Sequence, residues 1–424
     1  MSGFFYGFKL LDRLCSLIVS QLSLPSMKKA LLLLLLAYSF ICEAQQRFPT
    51  LSTEASIELI TIGPGPELYD AFGHTSVRVK DVPNKIDLVF NYGVFDFDTP
   101  NFYLKFARGK LLYKLAAAPY KNFEYSYKTQ QRWIKSQELN LNQQEKQGTY
   151  EFLLNNLSET NRYYKYDFFY DNCATRPYYA VASSVEGSLA LQHTGIDTTL
   201  THRDLIRQYV PWNSWGSLGI DVALGSVIDR VATPEEHLFL PNELMASFKT
   251  AQVTSGNSSK ALVKNSQTIF EPSFIHSYGV PFYVSPLFIL GLIALFIIYK
   301  TYKDFKGDNG IGWLDTTLLL FTGVTGVLVA FLWFGTDHIA TAWNYNILWA
   351  FPFHILAAFA VKKVQPARWI YPYMKLAVIL MCLLFAHWAI GVQSYAPSLL
   401  PLLIAITVRY IYILRNIKLT RIEA

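Results

Sequence analysis

The sequence predicts an α+β extracytoplasmic domain followed by an all-α membrane domain of about five transmembrane helices. Three features support this: a short apolar leader near the start, mixed strand and helix patterns up to about residue 250, and long apolar stretches from residue 280. We therefore expect four segments: a signal peptide with a misassigned start at 1–44, a periplasmic domain at 45–250, a linker at 251–279 and a transmembrane domain at 280–424.

The N-terminal segment has the pattern of an export signal. Met27-Lys28-Lys29 forms a short basic region, an apolar core spans 30–41, and the small residue Ala44 precedes Gln45. This core is shorter than the ~20 residues that cross a bilayer as a helix. We expect Met27 to be the true start and the leader to be removed. An uncleaved anchor helix is the alternative.

The periplasmic domain is predicted to mix strands and helices. Segments rich in β-branched and aromatic residues predict an antiparallel sheet, and they lie at 56–62, 75–80 and 87–95. Helices are expected within 121–160, which is polar, and at 174–191. Residues 251–279 are polar and lack periodicity, which indicates a linker.

The C-terminal part is typical of a multi-pass membrane domain. Apolar stretches of nearly spanning length fall at 282–299, 314–334, 345–361, 371–390 and 396–413. Lys and Arg cluster after the first, third and fifth stretches, which places those ends in the cytoplasm. The soluble domain then lies on the periplasmic side of a bacterial cytoplasmic (inner) membrane, in agreement with the export signal. Four or six spans remain alternatives.

The charge distribution bears on the class of partner. Residues 280–424 carry 11 Lys/Arg and 5 Asp/Glu, so the whole net charge of +6 lies in the membrane part. The soluble part is neutral and has no basic stripe, which argues against nucleic acid as a partner. No Cys/His spacing indicates a metal site and no glycine-rich phosphate loop is present, so we expect no cofactor.

Cys173 is the candidate nucleophile. It is the only one of the 4 cysteines outside the leader and the apolar stretches, so it has no expected disulfide partner. His74 begins an alternating strand and is the candidate base. Asn91 is the candidate third group, with Asp70 and Asp96 as alternatives. A small, inert buried cysteine is the other interpretation.

The residues around Cys173 favour a reactive thiol. Asn172 is a good helix N-cap, so Cys173 would lie in a first helical turn, where free N–H groups favour an anion. The same N–H groups are candidate donors to an oxyanion. Asn172, Arg176 and Tyr92 are candidate substrate-binding residues, and Arg176 would face either an anionic headgroup or a salt-bridge partner.

A longer pattern of motifs resembles a known family. A histidine on a strand followed by Asn-Cys at a helix start resembles the circularly permuted branch of papain-like (NlpC-like) thiol enzymes. The fuller pattern is similar to the Lnb-type periplasmic domain, a family that includes bacterial lipoprotein N-acyltransferases, and it comprises Phe72-Gly73-His74, Asn91-Tyr92-Gly93, Phe95-Asp96-Phe97, Asp171-Asn172-Cys173, Thr175-Arg176 and motifs between Gly219 and Pro241. The resemblance covers about 50–250 and implies a catalytic cysteine at Cys173 and a histidine at His74.

Polar residues in the membrane part form a second group of candidates. The outer loop after the second apolar stretch contains Asp337, His338, Asn344 and Asn346, which either bind substrate or belong to an aromatic belt with solvated neighbours. Two histidines fall inside apolar stretches, and each is a functional candidate or a bond to a neighbouring helix: His354 and His387.

These features together predict a membrane-bound cysteine acyltransferase. Cys173 would take an acyl chain from a membrane phospholipid as a thioester and pass it to the N-terminus of a lipoprotein acceptor. The acceptor is implied by the family resemblance alone. The alternatives are a Cys/His hydrolase of lipid esters or cell-wall peptides, and a non-enzymatic membrane scaffold.

Overall fold

The computed structural model describes residues 48–192, 197–274, 279–361 and 367–423. Residues Leu51–Ala424 form one compact unit that contains both the sheet-rich domain and the membrane helices. The predicted signal peptide at 1–44 lies outside the described residues. The mixed α+β class followed by a helical membrane region is confirmed.

A seven-stranded antiparallel sheet is the centre of the soluble domain. Its order is β10-β5-β1-β2-β3-β4-β6, and all the pairings are antiparallel. The strands are β1 Ser56–Ile62, β2 His74–Asp81, β3 Ile86–Val94, β4 Leu112–Pro119, β5 Ile134–Leu139, β6 Tyr163–Lys165 and β10 Val263–Phe270. The three strands predicted from the sequence are β1, β2 and β3, and their antiparallel pairing is confirmed.

The sheet is covered on both faces. Because side chains alternate along a strand, Ile57 and Leu59 enter one core with Val77 and Phe90. Ile60 and Ile62 enter a second core on the opposite face, together with residues of the helix Tyr120–Thr129. A slip of one residue would move every side chain of β1 into the opposite core and disrupt the packing of both, so the register of β1 is fixed.

Short helices surround the sheet. Those of the soluble domain are α1 Phe102–Ala107, α2 Tyr120–Thr129, α3 Gln143–Leu157, α4 Thr175–Ala182, α5 His202–Arg207, α6 Trp215–Ala223 and α7 Pro241–Thr250. The predicted helical region 121–160 is interrupted by β5, whose alternating residues pair with β1. Helix α3 begins at a capping box in which Asn142 and Glu145 exchange side-chain bonds to the backbone.

Residues 252–270, within the predicted linker at 251–279, contain three strands. These are β8 Gln252–Ser255 and β9 Ser258–Ala261, which form a three-stranded sheet with β7 Ser188–Ala190 in the order β7-β8-β9, and then β10. Strand β10 pairs along β5 and forms an edge of the large sheet. Its side chains are mostly exposed and polar, so its strand character has no hydrophobic signature in the sequence.

Four described helices are long and apolar enough to cross a membrane: Pro286–Lys306, Trp313–Phe334, Ile370–Ala389 and Pro397–Lys418. We name the helices of this region α8 Pro286–Lys306, α9 Trp313–Phe334, α10 His354–Val361, α11 Ile370–Ala389 and α12 Leu400–Glu423. The third predicted span, 345–361, is instead a 3₁₀ turn at Tyr345–Leu348 followed by the eight-residue helix α10.

Close packing against α9 accounts for the interrupted third span. Gly323 and Gly326 of α9 lie against the backbone at Ile355 and Ala350, where no Cβ would fit. Glycines that allow such close approach are common where membrane helices pack. Irregular backbone at membrane depth is tolerated when it is buried in protein, as it is here.

Residues 207–226 dock the soluble domain onto the membrane loops. Arg207 bonds Asp221 at 2.9 Å and the hydroxyl of Ser394, between α11 and α12, at 2.7 Å. The N–H of Gly225 donates to Ala340, and an added Cβ at Gly225 would lie 1.9 Å from the carbonyl oxygen of Ala342. The two domains therefore meet through direct backbone contact as well as charged bonds.

Candidate active site

Asn172 organises the turn that carries the cysteine. Its side-chain oxygen accepts from the N–H groups of Ala174 and Thr175 at 2.8 and 2.9 Å. Its amide nitrogen donates to the carbonyls of Phe168 and Phe239, both at 2.8 Å. Asn172 therefore holds the turn that precedes α4, whose N-cap is Ala174 and not the predicted Asn172, and its buried side chain is fully occupied rather than open to substrate.

Cys173 lies two residues before the start of α4, outside the first helical turn in which the sequence predicts it, and is 9% exposed. Burial raises the pKa of the thiol to about 11, and hydrogen bonding from the N–H of Thr75, from its own N–H and from the hydroxyl of Tyr166 opposes the rise in this pKa. The thiol is thus protonated at neutral pH but has donors in place for a developing negative charge.

Two glycines shape the space around the thiol. Gly93 has a φ of +87°, and an added Cβ there would contact the ring of Tyr166 at 3.5 Å and Cys173 at 3.6 Å. It lies where β3 departs from regular pairing, between Asn91 and Val94. Gly73, with a φ of +81°, turns the chain into β2 just before His74.

His74 begins β2 and is bonded to the next strand. Its Nε2 lies 2.5 Å from Oδ1 of Asn91. Because the amide oxygen of Asn91 can only accept, Nε2 of His74 carries the proton and Nδ1 carries the lone pair. Thr75, the neighbour of His74, is bonded to the sulfur of Cys173, so thiol and imidazole lie at the same end of the sheet.

Burial also sets the charge of the imidazole. It lowers the pKa of His74 to about 4, the bond to Asn91 opposes this, and the positive charge of Arg132 adds to it. Neutral imidazole and neutral thiol are therefore the resting forms. The alternative partners face elsewhere: Asp70 accepts from Arg132 at 3.2 Å, and Asp96 accepts from the N–H of Asp98.

Two residues near the thiol were not found from the sequence. Arg132 is 4% exposed, donates to the carbonyl of Gly63 at 2.8 Å, and its Nη2 has no partner among the described residues. Its charge lowers the pKa of both His74 and Cys173. The other residue is Tyr166. Neither has a local sequence signal, because each is a single Arg or Tyr in a segment rich in similar residues.

Tyr92 and Arg176 line a separate cavity. Arg176 bonds both oxygens of Asp171, at 2.5 and 2.7 Å, and its guanidinium lies 3.5 Å from the centre of the Tyr164 ring. The cavity measures about 410 Å³ and is lined by Tyr92, Phe152, Asn156, Tyr170, Asp171, Arg176 and Tyr179. Because Tyr92 follows Asn91 on a strand, it faces the opposite side of the sheet. Of its two predicted roles, Arg176 therefore has that of a salt-bridge partner, with Asp171.

The outer-loop residues dock the two domains together. Asp337 pairs with Lys165 at 2.9 Å, and the ring of His338 bonds the carbonyl of Phe106 at 3.0 Å. The amide of Asn344 donates to Val222 and Ala223, and that of Asn346 donates to Asp221. The last two are buried with their amides occupied. This geometry favours a docking role over the predicted substrate role.

The two histidines of the membrane part contact neighbouring segments. His354 Nδ1 lies 2.9 Å from the hydroxyl of Thr322 on α9. The ring of His387 packs edge-on against Tyr345, with centroids 4.8 Å apart. His354 therefore fits the alternative of a bond to a neighbouring helix, whereas His387 makes a ring contact with Tyr345.

The fold and site define a multi-pass membrane protein whose periplasmic α+β domain contains a buried free cysteine and a hydrogen-bonded histidine–asparagine pair. Residues 49–209 match the family model described as Lnb N-terminal periplasmic domain, and residues 279–420 match the one described as Lnb transmembrane domain. The chain therefore belongs to the Lnb family, as the sequence motifs predict. No curated protein and no solved structure matches it.

Family membership implies a membrane enzyme that acts on lipoproteins. The periplasmic match contains the site residues His74, Asn91, Arg132, Tyr166 and Cys173. The docking segment around Gly225 and the strands β8 to β10 lie between the two matched regions.

Proposed function

We propose that this protein is a membrane-bound cysteine acyltransferase that moves an acyl chain from a phospholipid to the N-terminus of a lipoprotein. The observation that carries the proposal is the juxtaposition of the Cys173 thiol, held by Thr75, with the His74–Asn91 pair in a domain docked on membrane helices. Membership of the Lnb family supports the choice of lipoprotein as acceptor.

In the first half-reaction the sulfur attacks the ester carbonyl carbon of the phospholipid. His74 takes the thiol proton on Nδ1 as the S–C bond forms, because Nε2 already donates to Asn91. The tetrahedral intermediate collapses, the C–O bond breaks, and the imidazolium returns the proton to the departing alkoxide. The products are a thioester on Cys173 and a lysophospholipid.

In the second half-reaction an amine replaces the alcohol. The N-terminal amine of the acceptor attacks the thioester carbonyl and gives up a proton to His74. The C–S bond then breaks, the thiolate regains that proton, and an amide is formed. The 9% exposure of Cys173 limits the access of water to the thioester, which favours transfer over hydrolysis.

The resting charge state fits general-base catalysis rather than a preformed ion pair. A thiol pKa of about 11 and an imidazole pKa of about 4 disfavour thiolate–imidazolium at neutral pH. The proton therefore moves as attack occurs. Because Asn172 engages the N–H groups of Ala174 and Thr175, the donors beside the sulfur are the N–H groups of Thr75 and Cys173 and the Tyr166 hydroxyl.

The direct test is to trap the acyl-enzyme. We expect the purified protein, incubated with phospholipid and no acceptor, to gain the mass of one acyl chain on Cys173, and the Cys173→Ala variant to gain none. Cys382→Ala is the matched control, since Cys382 is a free cysteine exposed on α11, and it should acylate normally. Acylation that persists in the Cys173→Ala variant would disprove the proposal.

A second test concerns the acceptor. Cells that lack the protein should accumulate lipoproteins with a free N-terminal amine, as measured by mass spectrometry of lipoprotein N-termini. Unchanged N-acylation in those cells, combined with a trapped acyl-enzyme, would keep the thioester chemistry and remove the lipoprotein as acceptor.

A further inference from the structure

The segment between β3 and β4 exposes an unusual number of large apolar side chains. We call residues 95–111 the aromatic loop; it includes the short helix α1. The following side chains are more than half exposed: Phe97 at 67%, Tyr103 at 80%, Leu104 at 55% and Phe106 at 53%. A cluster of this kind on a soluble surface marks an interaction site.

Contacts with the membrane domain fix the level of the aromatic loop. Helix α9 ends at Phe334, and three residues later the N–H of Asp337 donates to the carbonyl of Arg108 at 2.9 Å. The ring of His338 bonds the carbonyl of Phe106 at 3.0 Å. The loop therefore lies beside the periplasmic end of a spanning helix, at the level of the lipid headgroups.

The composition of the loop suits that level. Three basic side chains, Lys105, Arg108 and Lys110, accompany the apolar ones. Segments that bind at a membrane interface bury apolar side chains among the lipids and place neighbouring Lys and Arg near the lipid phosphates. The occupant that this surface fits is the outer leaflet of the membrane that the protein spans.

A series of ring contacts connects the loop to the thiol. The centroid distances are 6.4 Å for Phe106–Phe102, 5.9 Å for Phe102–Phe95, 5.4 Å for Phe95–Tyr113 and 4.5 Å for Tyr113–Tyr166. The hydroxyl of Tyr166 then bonds the sulfur of Cys173. Gly93 leaves the space beside this last contact without a side chain.

We propose that the aromatic loop inserts into the outer leaflet and that its ring series, from Phe106 to Tyr166, forms the apolar path along which a phospholipid acyl chain reaches Cys173. The insertion stands on the exposure and membrane contacts of the loop. The acyl path rests in addition on the proposed function. Together they explain how a largely buried thiol meets a substrate that resides in a bilayer.

Insertion is tested without reference to activity. The full chain, with its 4 native cysteines replaced by alanine, receives a single cysteine by Leu104→Cys, which is labelled with an environment-sensitive fluorophore. In nanodiscs of phosphatidylethanolamine and phosphatidylglycerol we expect blue-shifted emission and quenching by phospholipids that carry a doxyl group on the acyl chain.

Val82→Cys is the matched control. Val82 is apolar and 68% exposed, and it follows β2 at the end opposite to His74. That strand of eight residues separates the two ends by about 25 Å. Its label should keep water-like emission. Equal quenching at the two positions, or none at Leu104, would overturn the insertion.

The acyl path is tested by Phe102→Glu, a change within the ring series, in a chain that retains Cys173. Acyl-enzyme formation from vesicle phospholipid should slow about tenfold, which is the effect expected from the loss of one phenylalanine side chain along the path. Alkylation of Cys173 by a small water-soluble reagent should keep its rate. An unchanged acylation rate overturns the path. If Leu104 is quenched but no acyl-enzyme forms in the wild type, the proposed function fails while the insertion stands.

Discussion

Nε2 of His74 lies 2.5 Å from Oδ1 of Asn91, so a bond between neighbouring strands sets the tautomer of the candidate base. Asn91→Ala should reduce the rate of acyl-enzyme formation by about 100-fold, the scale of general-base catalysis, with little change in KM. Asn91→Asp should raise the pKa of His74 and move the acid limb of the pH–rate profile upward. Rapid-quench mass measurements of the acyl-enzyme across pH give both values.

Asn156→Ala serves as the control for that comparison, because Asn156 lines the cavity around Arg176 rather than the thiol. It should leave the rate and the pH profile unchanged. A purely structural role of Asn91 is indicated if Asn91→Asp leaves the acid limb where it is in the wild type.

The charge of Arg132 should be visible in the reactivity of the thiol. Burial raises the pKa of Cys173 to about 11, and Arg132 acts in the opposite direction. Arg132→Met should therefore raise the thiol pKa further and slow alkylation by a small reagent at pH 8 to 9. Alkylation rates followed from pH 7 to 11 measure the shift. Arg162→Met, which removes a pair with Glu159 and a contact with the Tyr163 ring, should not move the curve.

Buried neutral His74 predicts a dependence of stability on pH. Its pKa is lowered from 6.5 to about 4, so the unfolded chain binds a proton between these values and the folded chain does not. Protonation of His74 in the unfolded chain lowers the free energy of unfolding. This loss is absent above pH 6.5 and grows as the pH falls toward 4. Denaturant unfolding in detergent at pH 7 and pH 5 should show a smaller difference for His74→Gln than for the wild type.

The pKa of His202 is also lowered by burial, so His74→Gln should remove only part of the pH dependence. An identical pH dependence in His74→Gln and wild type would contradict the assignment of a neutral buried imidazole at position 74.

Gly225 should be intolerant of any side chain. A Cβ there would lie 1.9 Å from the carbonyl oxygen of Ala342. Gly225→Ala should therefore push the domains apart and destabilise the protein by about 1–3 kcal/mol, the usual cost of overpacking. Gly219→Ala, in α6, meets nothing within 4 Å and should be neutral or slightly stabilising. Thermal unfolding in detergent compares the two; equal midpoints would show that this contact does not hold the domains.

The first three strands were predictable because their signal is local, as in β1, which alternates β-branched and polar residues. The predicted cap at Asn172 was wrong by two positions: α4 begins after Ala174, and Asn172 accepts from the N–H groups of Ala174 and Thr175 in the preceding turn. The membrane topology was predictable from the distribution of Lys and Arg among the loops between the apolar stretches. The His74–Asn91 pairing was also anticipated, since the two residues fall on successive predicted strands that are adjacent in the sheet.

Other features depend on contacts between distant parts of the chain. Strand β5 was missed because Lys135, Gln137 and Glu138 make it polar, although it pairs with β1 and β10. Arg132 is 58 positions from His74 in the sequence, and only the folded sheet brings its charge near the imidazole. The interrupted third span depends on the glycines of α9, which are a signal of packing rather than of hydropathy.

The position of β10 decides where the periplasmic domain can be separated from its membrane anchor. A truncation after Thr250 would remove β10, one of the two partners of β5, and would leave the unpaired amides of that edge as a template for aggregation. A secreted version of the domain for crystallisation or lipid-transfer assays must therefore extend at least to Phe270, although the polar sequence of residues 251–270 gives no sign that they belong to the sheet.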